Sequence, residues 1–178
     1  MSFSVRRVRA GEGERVRELR LRAVSDPAAA MAFLTTYDQE IARDPAFWDE
    51  RAASGASGDA GAMFIAETAD AWIGSATVLV RRTGDLDHTG HRLRTDHAGI
   101  VGVFVDPAHR GAGVIDALLD AAADWTAHRG FDTVGLGVHV DNARAQGAYR
   151  RAGFVATGEE FTTSIGRERA MTRSLRVR

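Results

Sequence analysis

Val103-Phe104-Val105-Asp106-Pro107-Ala108-His109-Arg110-Gly111-Ala112-Gly113-Val114-Ile115-Asp116 passes from an apolar run, through a turn bearing two glycines, into a segment of helical periodicity. A helix start leaves backbone N–H groups unpaired, with the positive end of the peptide dipole behind them. Gly111 and Gly113 remove side chains that would keep an anion away, and Arg110 adds a charge that is permanent near neutral pH. The stretch is either a phosphate cradle or a plain strand-to-helix turn, and these residues alone do not choose. A dinucleotide fingerprint is discounted, because Gly111-x-Gly113-x-x-Asp116 lacks the third glycine and no second mononucleotide half follows. A P-loop is excluded because the chain contains no lysine.

Outward from this turn, residues 100–105 read as an apolar strand. Residues 113–129 read as a helix with Ile115, Leu118, Ala122 and Trp125 on one face and Gly130 as its stop. Val134, Leu136, Val138 and Val140 alternate opposite Gly135, Gly137 and His139, which predicts another strand; a strand–helix–strand unit of this kind needs parallel neighbours. A short helix over 142–151, a strand from Phe154 and a last strand over 169–177 complete this half. Before it come a strand at 3–9, a helix at 12–24 and one or two helices over 28–51, interrupted at Asp44-Pro45. A flexible loop at 54–61 then leads to a hairpin of 63–66 and 72–80 about Thr68-Ala69-Asp70. The expected fold is a mixed sheet with helices on its faces, in one domain over 1–178.

The composition narrows the chemistry. A hydrophobic fraction of 44% and a charged fraction of 26% are those of a globular protein. No window approaches eighteen apolar residues, and the N-terminal arginines are interleaved with apolar residues, so neither a membrane partner nor a secretory signal is expected and the expected location is the cytoplasm. The absence of cysteine excludes disulfides and thiolate chemistry, and the absence of lysine excludes Schiff bases. A net charge of −1 gives no bulk attraction to nucleic acid. Arg167, Arg169, Arg173, Arg176 and Arg178 alternate with Met171, Leu175 and Val177, as on a solvated strand face. Asp116, Asp120, Asp124 and His128 recur at helical spacing, which is read as the wet side of a helix rather than a metal stripe.

A second element decides the first. Asn142-Ala143-Arg144-Ala145-Gln146-Gly147-Ala148-Tyr149-Arg150-Arg151-Ala152-Gly153-Phe154 carries Asn, Ala, Tyr and Gly-Phe at fixed intervals about thirty residues after the glycine turn. With these two motifs the chain resembles the GNAT superfamily of acyl-coenzyme-A N-acyltransferases. The resemblance implies an α/β (α+β) fold with a largely antiparallel mixed sheet. It implies acetyl-CoA as co-substrate, no metal, and direct attack by the primary amine of a small molecule or peptide. It also allows pairing with a second copy. The amides of Arg110, Gly111, Ala112, Gly113, Val114 and Ile115 match the pyrophosphate loop. Val103, Phe104 and Val105 match the strand that runs beside the pantetheine arm, and an N–H near Val103 would polarise the acyl carbonyl. Asn142 matches the residue that fixes the pantetheine. Tyr149 matches the tyrosine that protonates the departing thiolate; on its own it reads as a core aromatic.

Two departures and two open roles remain. In the family pattern a small residue, then often a basic one, closes the loop; here those places hold Ile115 and Asp116, which predicts weaker coenzyme binding. A coenzyme-A-binding module without catalysis is accordingly the alternative to an enzyme. For the general base, His97 lies on the strand leading to the coenzyme, within the polar run of Asp85, Asp87, His88, His91 and Asp96, and Glu67 on an earlier strand is its rival. The acceptor site is expected from the N-terminal half, from Phe33, Tyr37, Glu40, Trp48 and the strand at Trp72, with Tyr37 or Glu40 meeting a cationic amine.

Overall fold

The computed structural model describes residues 2–86 and 92–175. Seven strands form one sheet: β1 (Ser4–Arg7), β2 (Gly61–Glu67), β3 (Trp72–Arg81), β4 (His97–Val105), β5 (Thr133–His139), β6 (Val155–Thr163) and β7 (Gly166–Ser174). Their spatial order is β1-β2-β3-β4-β5-β7-β6. All neighbours are antiparallel except β4 and β5, the pair joined through a helix. This is the mixed, largely antiparallel sheet expected.

Helices cover both faces. On one lie α1 (Gly13–Val24), the single-turn α2 (Tyr37–Ile41) and α3 (Pro45–Ala56); on the other lie α4 (Val114–Ala127) and α5 (Ala143–Arg151). The alternation of β2 divides the core between them. Met63 and Ile65 pack with Val16, Leu19 and Trp48 of α1 and α3, whereas Ala62, Phe64 and Ala66 pack with Leu118 and Leu119 of α4. Pro45 sits in the first turn of α3 behind an Asp44 cap that accepts from the Ala46 amide at 2.8 Å.

The loop expected over 54–61 is shorter than its composition implied. α3 continues to Ala56, because Gly55 faces β2, where a Cβ would stand 2.8 Å from that of Met63. The glycine there serves close packing of helix on sheet and does not break the helix. The arginines of β7 make surface pairs, Arg169 with Glu160 and Arg173 with Asp120, in keeping with a solvated strand; Arg176, Val177 and Arg178 lie outside the described residues.

What positions the site is the parting of β4 from β5. The two strands pair only at Gly99↔Gly135 and Ile100↔Leu136, then diverge. β4 also bulges: Ser75 opposes Phe104 and Thr77 opposes Val101, so Ala76 faces both Gly102 and Val103. Gly102 takes a left-handed φ of 62°, and the Ser75 hydroxyl donates to its carbonyl at 3.2 Å. A bulge sets its extra residue outside the ladder and bends the strand.

Candidate active site

A continuous cavity of about 1230 Å³ occupies the gap between β4 and β5. At one end it meets the glycine turn. Asp106 accepts from the Ala108 amide at 3.0 Å and from Arg22 at 3.0 Å, which fixes the turn that follows β4. Gly111 and Gly113 both adopt left-handed φ, 78° and 79°, and a Cβ on either would meet nothing within 4 Å. The turn therefore opens on free space at the N-terminus of α4, where first-turn amides have no helical acceptor. That geometry fits a diphosphate. Ile115 and Asp116 line the same cavity and are part-buried.

Arg110 does not point freely into this space. Its Nε donates to the Val105 carbonyl at 3.1 Å, and its Nη2 is paired with Asp26, which follows α1. Burial pushes the Asp26 carboxyl up, but the Ala28 amide and the Arg110 guanidinium outweigh it and hold the group below its ordinary range.

On the wall formed by α5, Asn142 is buried and caps the helix, its Oδ1 accepting from the Ala145 amide at 3.1 Å. Gln146, which the sequence reading passed over, donates from Nε2 to the carbonyls of His139 (3.2 Å) and Val140 (2.8 Å) and so ties the end of β5 to α5. Tyr149 lies one to two turns further on, 8% exposed, its ring 6.1 Å from that of Phe154. Burial pushes its phenol up to about 12, against a smaller opposing pull from Arg144. The hydroxyl therefore keeps its proton throughout the neutral range.

The proposed bases separate. His97 lines the cavity; its imidazole stands beside Gly99 and Gly135, on the face of β4 opposite Ala98 and Ile100. Glu67 is not among the cavity-lining residues. It accepts from Arg6 Nε at 2.7 Å and from Trp72 Nε1 at 3.0 Å, and Arg6, shared with Glu12, holds its carboxyl below the ordinary range. Asp87, His88 and His91 lie outside the described residues. Asp85 and Asp96 bond the turn amides of Arg82 and Thr83.

At the far end the expected acceptor residues also divide. Glu40 and Phe33 line the cavity, whereas Tyr37 faces a separate hollow beside Asp106 and Pro107. Trp48 and Trp72 are core, 1% and 3% exposed. Glu40 is buried and fully engaged: Oε1 accepts from Arg20 Nε at 3.0 Å and from Thr35 Oγ1, and Oε2 accepts from Arg43 Nε at 2.8 Å. Burial raises its pKa, but these three donors outweigh that and the net shift is downward. Arg51 of α3 lines the same end. Its signal in the sequence was an arginine on a helix with no acidic residue three or four positions away.

The chain matches the model of the acetyltransferase (GNAT) family over residues 26–154. It belongs to that family. Acetyl-CoA is the co-substrate typical of that family. It is 40% identical over 89 residues to a mycothiol acetyltransferase of Clavibacter sepedonicus, a match covering 48% of this chain and 29% of that relative. Among solved structures it resembles a GNAT acetyltransferase of Streptococcus pneumoniae (TM-score 0.74, 16% identity, 97% of this chain and 99% of that one). It also resembles yncA of Salmonella typhimurium, solved with its cofactor acetyl-CoA (TM-score 0.66, 17% identity, 100% and 96%). At such identities the likeness is one of fold.

Proposed function

We propose that this GNAT chain moves an acetyl group from acetyl-CoA to the primary amine of a small molecule or peptide, by direct attack within a ternary complex. The observation that carries the reading is that one cavity holds both the open glycine turn and Tyr149, at the point where β4 and β5 part. When bound, acetyl-CoA supplies an activated acyl thioester whose leaving thiolate needs a proton.

The residues divide the work. The amides from Arg110 to Ile115 and the dipole of α4 hold the diphosphate. The backbone of Val103, Phe104 and Val105 would align the pantetheine arm, and an N–H near Val103, at the bulge, would polarise the acyl carbonyl, where a preformed donor stabilises developing negative charge. Asn142 spends its Oδ1 on capping α5, and its Nδ2 would be the donor to the same arm. Tyr149 delivers its proton to the thiolate, a role that suits a phenol kept neutral by burial. His97 takes the proton of the incoming amine; Glu67, committed to Arg6 and Trp72, holds strand ends together.

The test is thiol release from acetyl-CoA across polyamines, amino acids, aminoglycosides and peptide N-termini, with Tyr149→Phe alongside. Release with at least one amine, lost in the variant, supports the reading. Coenzyme binding by calorimetry without release on any amine refutes it in favour of a binding module.

A further inference from the structure

The acceptor end of the cavity is strongly cationic. Arg20 from α1, Arg43 after α2 and Arg51 from α3 converge on it, with Glu40 as the buried carboxylate among them. Arg20 and Arg43 are each tied to Glu40, and each also lies over an aromatic ring, Phe33 at 4.5 Å and Phe47 at 4.2 Å. Both carboxylate oxygens are thereby used. Among the described residues the guanidinium of Arg51 has no hydrogen bond, ion pair or ring contact, although it is part-buried on the cavity wall. Burial strips its water and Arg20 and Arg43 repel it, which together outweigh the attraction of Glu40 and lower its pKa. A part-buried cation with no protein partner gains from an anion brought to it.

We infer that the acceptor carries a carboxylate, bound by Arg51, so that the substrate is an amino-acid-like amine and not a polyamine. A guanidinium presents paired donors in one plane, which suits a carboxylate, and the flanking charges of Arg20 and Arg43 disfavour a second cation there. Glu40 then has a different task from the one its charge suggests: it does not receive the amine but pairs with two of the three arginines, offsetting one unit of their charge and leaving Arg51 for the substrate. This inference rests on the acetyl-transfer reading of the same site and narrows its acceptor.

Two measurements test it. In the first, thiol release is followed with glycine, leucine and phenylalanine, their carboxamides, spermidine and 2-aminoethylphosphonate. The expected result is a kcat/KM for the free amino acids at least about 30-fold above their carboxamides, with that ratio collapsing toward one in Arg51→Gln while acetyl-CoA affinity is kept. Equal or better turnover of carboxamides, spermidine or the phosphonate overturns the inference and leaves acetyl transfer standing. The second is independent of catalysis: calorimetry with N-acetylphenylalanine and its carboxamide. Binding of the acid alone, lost in both Arg51→Gln and Arg51→Met, supports the inference even if no amine releases thiol; equal binding of the two, or binding unchanged in the variants, overturns it.

Discussion

The imidazole of His97 stands 3.2 Å, through Cε1, from the place a Cβ on Gly135 would take, and 3.4 Å through Nε2. The proposed base thus occupies space that a glycine leaves, on the neighbouring parallel strand at the first of the two positions where β4 and β5 pair.

Gly135→Ala is therefore expected to push the imidazole aside by a few tenths of an ångström and to lower kcat/KM by roughly 10-fold, since displacement of a reacting group by about 1 Å costs about 10²-fold. In a double-mutant cycle Gly135→Ala adds nothing on top of His97→Ala. Additive losses in that cycle would show that the glycine acts on something else.

Tyr149→Phe should reduce kcat by about 10² or more while leaving acetyl-CoA affinity nearly unchanged, the range expected on removal of a general acid. Because burial pushes the phenol up to about 12, its proton is lost only around that pH. The rate of the unmodified enzyme should show no alkaline fall from this group below about pH 11, and a pH–rate profile checks it.

Glu40→Gln removes the charge that balances Arg20 and Arg43 in a buried setting, at an expected cost of about 3–5 kcal/mol in urea unfolding. The pH dependence follows from the sign of the shift. Glu40 has a folded pKa below its unfolded value of about 4.3, so its contribution is present above that pH and lost as pH falls through the folded value. The variant should lack this part of the acid sensitivity.

Ile115→Gly with Asp116→Arg should tighten acetyl-CoA binding by calorimetry, by replacing a branched residue and a carboxylate that line the diphosphate end. The helix loses a favourable first-turn charge, at about 0.3–1 kcal/mol of stability. Unchanged or weaker affinity would mean that the diphosphate sits clear of both side chains.

Much of this was legible in the chain because it depends on local signals. The order of strands and helices, the hairpin at Thr68 and the glycine turn all follow from periodicity and from residues that favour turns. The bulge at Gly102 was announced only by a glycine inside an apolar strand, a sign that does not say which way the strand bends. Glu67 and Tyr37 lie outside the cavity lining for a common reason: a carboxylate or phenol near a strand or helix end shows its chemistry in sequence but not its partner, here Arg6 for Glu67 and the hollow beside Pro107 for Tyr37. Arg51 was missed because what distinguishes it, a guanidinium without a partner among the described residues, shows only in three dimensions.

The pairing of Arg110 with Asp26 joins the turn at the head of α4 to the chain that leaves α1 and runs on to the acceptor wall at Phe33 and Glu40. A phosphate that takes hold of Arg110 does so in competition with Asp26, so that filling the cradle loosens one anchor of the opposite wall. By reciprocity, an acceptor that stiffens that wall alters how readily Arg110 is surrendered. Occupation of the cradle and stiffness of the opposite wall would then be coupled in both directions through this one ion pair, carried by the α1–α2 connection.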